Sequence, residues 1–218
     1  MSEKKPYLLP AGPARTEIRV VNSRFIASAG PARTVEEARA FIEAARAEFA
    51  DATHNVPGFV IGYPPSVITH YSDDGEPSGT AGRPVLAVLQ GSGLGDVVVV
   101  ITRYFGGTKL GTGGLVRAYT EATQEVLRIL PRAHRILTHS VMLAIPYSYL
   151  ERVRLLAPAH QGLILDEDFG ADVTLSLRFP IEALEGFQTA LGELTRGSVL
   201  AEIIEANTET LMPVDQSD

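Results

Sequence analysis

The chain has 218 residues, 45% of them hydrophobic, which is enough for one large domain or two small ones with real cores. It contains no cysteine, which excludes disulfides, thiolate metal sites and cysteine nucleophiles. A net charge of −7 argues against a surface coated in basic residues for nucleic acid.

No apolar run reaches the roughly 20 residues of a membrane span, and the start M-S-E-K-K-P has no apolar signal stretch, so a cytoplasmic protein is expected. The charge is unevenly spread. Residues 1–137 carry 15 Lys and Arg against 13 Asp and Glu, a balance of +2, whereas residues 138–218 carry 4 against 13, a balance of −9. Such asymmetry suggests two domains with different partners and directs any polyanion to the first half.

Residues 7–9 and 17–21 read as short strands separated by a turn at Gly12-Pro13, and residues 23–29 continue in the same manner. Arg24 is read either as facing a ligand or as an exposed strand residue. Thr34 opens T-V-E-E, a capping box in which the Thr34 hydroxyl and Glu37 carboxylate satisfy free helix-start amides. Ala38, Phe41, Ile42, Ala45 and Phe49 share one face behind it, predicting an amphipathic helix on a sheet.

His54 ends D-A-T-H and is a weak candidate for proton transfer, with a hydrogen-bonded structural role as the plainer reading. Residues 59–63 are the next expected strand. Asp73, Asp74 and Glu76, in D-D-G-E-P, either hold Mg²⁺ through one or two carboxylates or bond turn amides near a helix start. Residues 97–102 form a β-branched run expected to be a strand buried on both faces. That strand delivers Arg103, Tyr104 and Phe105 to a Gly-rich loop. Alternation places one of the two aromatics inward, so Phe105 is expected in the core while Tyr104 stays open as a stacking residue.

Two Gly-rich turns, around residues 78–83 and 105–114, each lead into apolar residues at helical spacing. A helix start presents unpaired N–H groups and a positive dipole end, which suits an anion. The expected anion or nucleic-acid site comprises Arg83, Arg103, Lys109, Arg117, Gly79, Thr80, Gly106, Gly107, Gly111, Thr112, Gly113 and Gly114. The competing reading gives the glycines to tight turns and helix-to-sheet packing.

After Leu130-Pro131, residues 131–138 look like a connector. Beyond it the order strand 140–145, helix 147–156, strands 162–165 and 171–179, helix 181–194, strand 199–204 is the ferredoxin-like βαββαβ arrangement. His134, His139 and His160 show no ligand spacing, and residues 209–218 read as a polar tail. The expected domains are therefore 1–135, with the Gly-rich edge, an acidic 136–207, and a tail from 208.

The order D-D-G-E-P-x-G-T-A-G-R-P, then V-V-V-V-I-T-R-Y-F-G-G-T-K-L-G-T-G-G-L-V-R-A-Y, resembles the signature of the IMPACT family, in particular its bacterial YigZ-type members. The likeness extends upstream through S-R-F-I-A (23–27) and D-A-T-H (51–54). It departs from the pattern at N-V-P-G (55–58), where relatives place a Cys and an aromatic. The resemblance implies an α+β fold: an N-terminal α/β sandwich similar to the second domain of a small-subunit ribosomal protein and to domain IV of elongation factor G, with a ferredoxin-like C-terminal domain. It also implies a link to translation, which eukaryotic relatives regulate under amino-acid shortage by competing for an activator of the initiation-factor kinase.

Three functions stay open. The first is a non-enzymatic binding protein, without cofactor, that docks RNA or a ribosome-associated protein through the N-terminal domain. The second is an Mg-dependent enzyme acting on a phosphorylated metabolite or nucleotide; the third is a protein–protein adaptor.

Overall fold

The computed structural model describes residues 7–213. They divide into two compact units, the first running to His134 and the second spanning Arg135–Met212. The first contains β1 (Tyr7–Pro10), β2 (Ala14–Val20), β3 (Ser23–Pro31), α1 (Val35–Glu48), β4 (His54–Tyr63), β5 (Ser66–Tyr71), α2 (Gly82–Gly91), β6 (Val97–Tyr104) and α3 (Gly111–Ile129). Its main sheet has the order β2-β3-β6-β4-β5, with every neighbouring pair antiparallel.

The β-branched run is the middle strand, as expected, and its alternation builds two cores. Val97, Val99 and Ile101 face one side with Val85 and Leu89 of α2 and Tyr119, Ala122 and Val126 of α3. Val98 and Val100 face the other with Ala38, Ile42 and Ala45 of α1. A helix layer therefore covers each face of the sheet. The start of α1 differs from the reciprocal capping box in one bond: the Glu37 N–H donates to Thr34 Oγ1 at 3.1 Å, but the Glu37 carboxylate accepts from the Arg33 N–H at 2.7 Å.

Two strands depart from expectation. β4 starts at His54 rather than at residue 59, passing through Pro57 opposite Val100. β5 was not expected at all. It is an edge strand with all six residues exposed, so it carries no alternation of buried and exposed positions.

The second unit is entered through β7 (Arg132–Ile145), so the expected connector 131–138 is mostly strand. It continues through a 3-10 turn (Tyr147–Tyr149), α4 (Leu150–Ala159), β8 (Leu163–Phe169), β9 (Val173–Pro180), α5 (Ile181–Thr195) and β10 (Glu202–Pro213). The order β10-β7-β9-β8 with both helices packed on one face is the expected ferredoxin-like topology. The polar tail expected from residue 208 is corrected as far as Pro213: Thr138 Oγ1 donates to Thr208 O at 3.0 Å, and Arg135 pairs with Glu209 at 2.8 Å. Residues 214–218 of that tail lie outside the described residues. Among the described residues, no helix is long and apolar enough to cross a membrane.

Candidate functional site

The end of β6 carries Arg103 inward, where it is 5% exposed. Its Nη1 donates to Glu76 Oε1 at 2.6 Å and its Nη2 to Ser23 Oγ at 3.3 Å. Tyr119 of α3 donates its hydroxyl to the same Glu76 oxygen at 2.7 Å. Burial first, and then the Glu76 carboxylate, hold that phenol far above its ordinary pKa, so it remains a neutral donor. A buried carboxylate is thus paired and hydrogen-bonded, as burial of charge demands.

His54 completes the group. Its Nδ1 lies 2.7 Å from the Asp74 carbonyl oxygen, which can only accept, so Nδ1 carries the proton in that contact. Nε2 is left 3.8 Å from Glu76 Oε2.

The two Gly-rich turns have opposite electrostatics. At the first, the Asp73 carboxylate accepts from the N–H groups of Gly79, Ala81 and Gly82 at 2.8, 3.1 and 2.9 Å. Burial raises the pKa of Asp73, but the three amides outweigh it and the group sits below the usual carboxylate range. The buried Thr80 hydroxyl donates to Pro77 O at 2.6 Å. The start of α2 is therefore already neutralised from within, and Gly79 and Thr80 are corrected from ligand groups to parts of that turn.

The second turn is open. The residue before α3 is Leu110, whose side chain makes no cap hydrogen bond, and Gly111, Thr112 and Gly113 are exposed. No described group accepts from their amides, so three N–H groups face outward at the positive end of a 19-residue helix. Of the loop glycines, Gly106 is corrected to a packing residue. A Cβ there would lie 1.9 Å from Asn22 O, and its N–H already donates to Ser23 Oγ at 3.3 Å.

These elements enclose a cavity of about 420 Å³ whose lining includes His54, Glu76, Arg103, Phe105, Lys109 and Thr112. Lys109 is exposed at its edge. Phe105 is 45% exposed rather than in the core, because β6 ends at Tyr104 and strand alternation no longer applies beyond it. Tyr104 is engaged instead: its hydroxyl donates to Asp51 at 2.7 Å and the Arg24 guanidinium lies 5.3 Å from its ring centroid.

The four expected cations do not converge. Arg103 is held by Glu76, whereas Arg83 lines a separate groove of about 930 Å³ between α2 and α3, together with Arg128 and Arg132. Arg117 is exposed and lines neither cavity. The acidic trio is also dispersed: Asp73 holds turn amides, Asp74 accepts from Arg46 at 3.2 Å and from the Asn55 N–H at 2.7 Å, and Glu76 pairs with Arg103. Among the described residues no group of three His, Asp or Glu is placed to hold a metal ion. Tyr119 is not among the site residues expected from the sequence. The signal was its hydroxyl, since a tyrosine on a buried helix face needs an acceptor there.

Residues 21–127 match the model of the Impact N-terminal domain, and residues 143–198 match a domain of unknown function, DUF1949. The chain is 38% identical over 200 residues to the IMPACT family member YigZ of Escherichia coli (strain K12), an alignment spanning 91% of this chain and 98% of that one. The chain belongs to the IMPACT family. An IMPACT family member of Thermus thermophilus is 40% identical over 184 residues, spanning 84% of this chain and 99% of that one. A solved crystal structure of a hypothetical protein, 38% identical, covers 93% of this chain and 98% of its own with a TM-score of 0.60. The motifs that built the resemblance, from S-R-F-I-A to G-L-V-R-A-Y, all fall inside the stretch matched by the Impact model.

Proposed function

We propose that this IMPACT family protein is a non-enzymatic, cytoplasmic binding protein of the translation apparatus, docking RNA through its first unit. The observation that carries this reading is the uncapped start of α3, where Gly111 and Thr112 line the His54–Glu76–Arg103 cavity beside Lys109. Fixed amides and a lysine suit a phosphate group, and the exposed ring of Phe105 suits an unstacked base. The charge balance of +2 in residues 1–137 leaves this half accessible to a polyanion, whereas −9 in residues 138–218 repels one. The acidic second unit then serves a protein partner.

A titration of the full chain with a short single-stranded RNA at several salt concentrations tests this. Lys109 as the exposed phosphate contact of the cavity gives a slope of about −0.7 on log–log axes. Affinity indifferent to salt, or unchanged in Lys109→Glu, removes the reading.

One contact favours a second reading, an enzyme moving a proton on a phosphorylated metabolite or nucleotide. His54 holds its Nδ1 proton on Asp74 O and turns Nε2 toward Glu76 in the cavity wall. Turnover of a phosphorylated-metabolite panel that disappears in His54→Gln supports it, and an unchanged panel discards it.

A further inference from the structure

The cavity at the start of α3 differs from a track for a continuous nucleic-acid strand. At about 420 Å³ it is in the size class of a small-molecule pocket, with room for about one nucleotide. Its donors are also unusually distributed. Gly111 and Thr112 at the start of α3 line one side, and Lys109 supplies a flexible charge at the mouth. The wall adds a group of a different kind. Arg103 spends Nη1 on Glu76 and Nη2 on Ser23, but its Nε–H is buried and has no acceptor.

A buried guanidinium N–H without an acceptor is costly in a fold that satisfies its buried polar groups. That orphan donor sits in a side chain whose guanidinium carbon lies 5.4 Å from the Phe25 centroid and 5.5 Å from the Phe105 centroid. Phe25 belongs to the core, but Phe105 is a half-exposed ring lining the cavity. Arg103 and Phe105 both line the cavity, so the side chain that carries the orphan donor and a ring surface for a planar group share one wall.

We infer that the cavity is a receptor for a terminal phosphomonoester on a nucleoside, with the phosphate on the α3 amides, Lys109 and Arg103, and the base against Phe105. This rests on the reading of the site as phosphate-binding and narrows it from an internal backbone phosphate to a chain end or a free nucleotide. Two features favour the end. A phosphodiester has to enter and leave its site, whereas a pocket of one-nucleotide volume receives a terminus. A phosphomonoester also carries more charge near neutral pH than a diester, and suits the amides of Gly111 and Thr112 beside Lys109 better. The Glu76 carboxylate does not oppose it, because Arg103 and Tyr119 already occupy one of its oxygens and His54 faces the other.

The experiment uses the full chain and four probes: adenosine 5′-monophosphate, inorganic phosphate, and one oligonucleotide with either a 5′-phosphate or a 5′-hydroxyl. The phosphorylated oligonucleotide and the mononucleotide are expected to bind about tenfold or more tightly than the hydroxyl oligonucleotide. Inorganic phosphate is expected about tenfold weaker than the mononucleotide, a gap that closes in Phe105→Ala. Thr112→Asp, which places a carboxylate among the amides, abolishes binding of all phosphorylated probes. Mononucleotide binding with no gain from the oligonucleotide's phosphate assigns the site to a free nucleotide. Equal affinity for both oligonucleotides without mononucleotide binding overturns the inference while leaving RNA docking intact. Absence of binding by every probe overturns both.

Discussion

Glu76 shows how far a residue's surroundings decide its role. It was visible in the sequence as one of three acids in D-D-G-E-P, and a shared metal or shared turn amides were the readings open to that spacing. The structure gives each acid a different donor: Asp73 takes the nearby turn amides of residues 79–82, as one reading had it, whereas Arg46 and Arg103 reach Asp74 and Glu76 from α1 and β6. No local pattern encodes those pairings. Replacing Glu76 with Gln leaves the Arg103 guanidinium, 6% exposed in its side chain, without its counter-charge. The expected loss in chemical denaturation is about 3–5 kcal/mol, with partial recovery in the double variant Glu76→Gln, Arg103→Met, which removes the stranded charge. A loss below about 1 kcal/mol contradicts the buried pairing. Asp73 gives a pH-dependent counterpart. Its folded pKa is depressed, so the stability it contributes is present above the ordinary carboxylate value near 4 and is lost as pH falls through the lower folded value. At pH 7, Asp73→Ala is expected to cost about 1 kcal/mol, the usual effect of losing a helix-start cap. The wild-type and variant denaturation midpoints converge as pH drops below about 4, and curves that stay parallel refute the assignment.

The helices α2 and α3 carry the same outward signature, a Gly-rich turn followed by apolar residues at helical spacing, yet only α3 begins with open amides. Helix identity was legible because periodicity of 3.6 survives in V-L-A-V-L and in Leu115, Ala118, Tyr119, Ala122 and Val126. Which turn was free was not legible, since the capping acid of α2 sits eight to nine residues before its first turn. Strands fared unevenly for related reasons. The strand expected at residues 59–63 starts earlier, because β4 runs through Pro57 and Gly58 paired to β6, and the fully exposed β5 offers no alternation. The open helix start has a consequence for stability as well as binding. Thr112→Asp puts a negative charge in the first turn of α3, where three unpaired N–H groups lie, and is expected to raise stability by about 0.5–1 kcal/mol while eliminating phosphate binding. A variant that loses binding and stability together has disturbed the fold instead, and the comparison of thermal midpoint with affinity separates the two.

At the scale of the molecule, charge asymmetry and the switch from a β-branched centre to a βαββαβ order made two units readable. The S-R-F-I-A to G-L-V-R-A-Y motifs then made the family readable. The boundary was blurred because β7 is one continuous strand, Arg132–Ile145, beginning in a segment whose polar residues resembled a linker. The buried clusters nevertheless share no residue: α2 and α3 pack with one set, α1 with another, and α4 and α5 with Val141, Leu175, Leu177, Phe179 and their neighbours. Leu175 lies at the centre of the last cluster and is fully buried. Truncating it to alanine removes buried methyl groups and leaves a cavity, with an expected cost of about 2–5 kcal/mol to the second unit. Hydrogen exchange should then accelerate along β9 and its partners β7 and β8, while amides of β3 and β6 keep their protection. RNA affinity at fixed salt is expected to stay within about twofold of wild type, because every group assigned to the anion lies before residue 118. A Leu175→Ala variant that folds yet loses RNA binding places part of the site in the acidic unit, and the assignment of binding to the first unit fails.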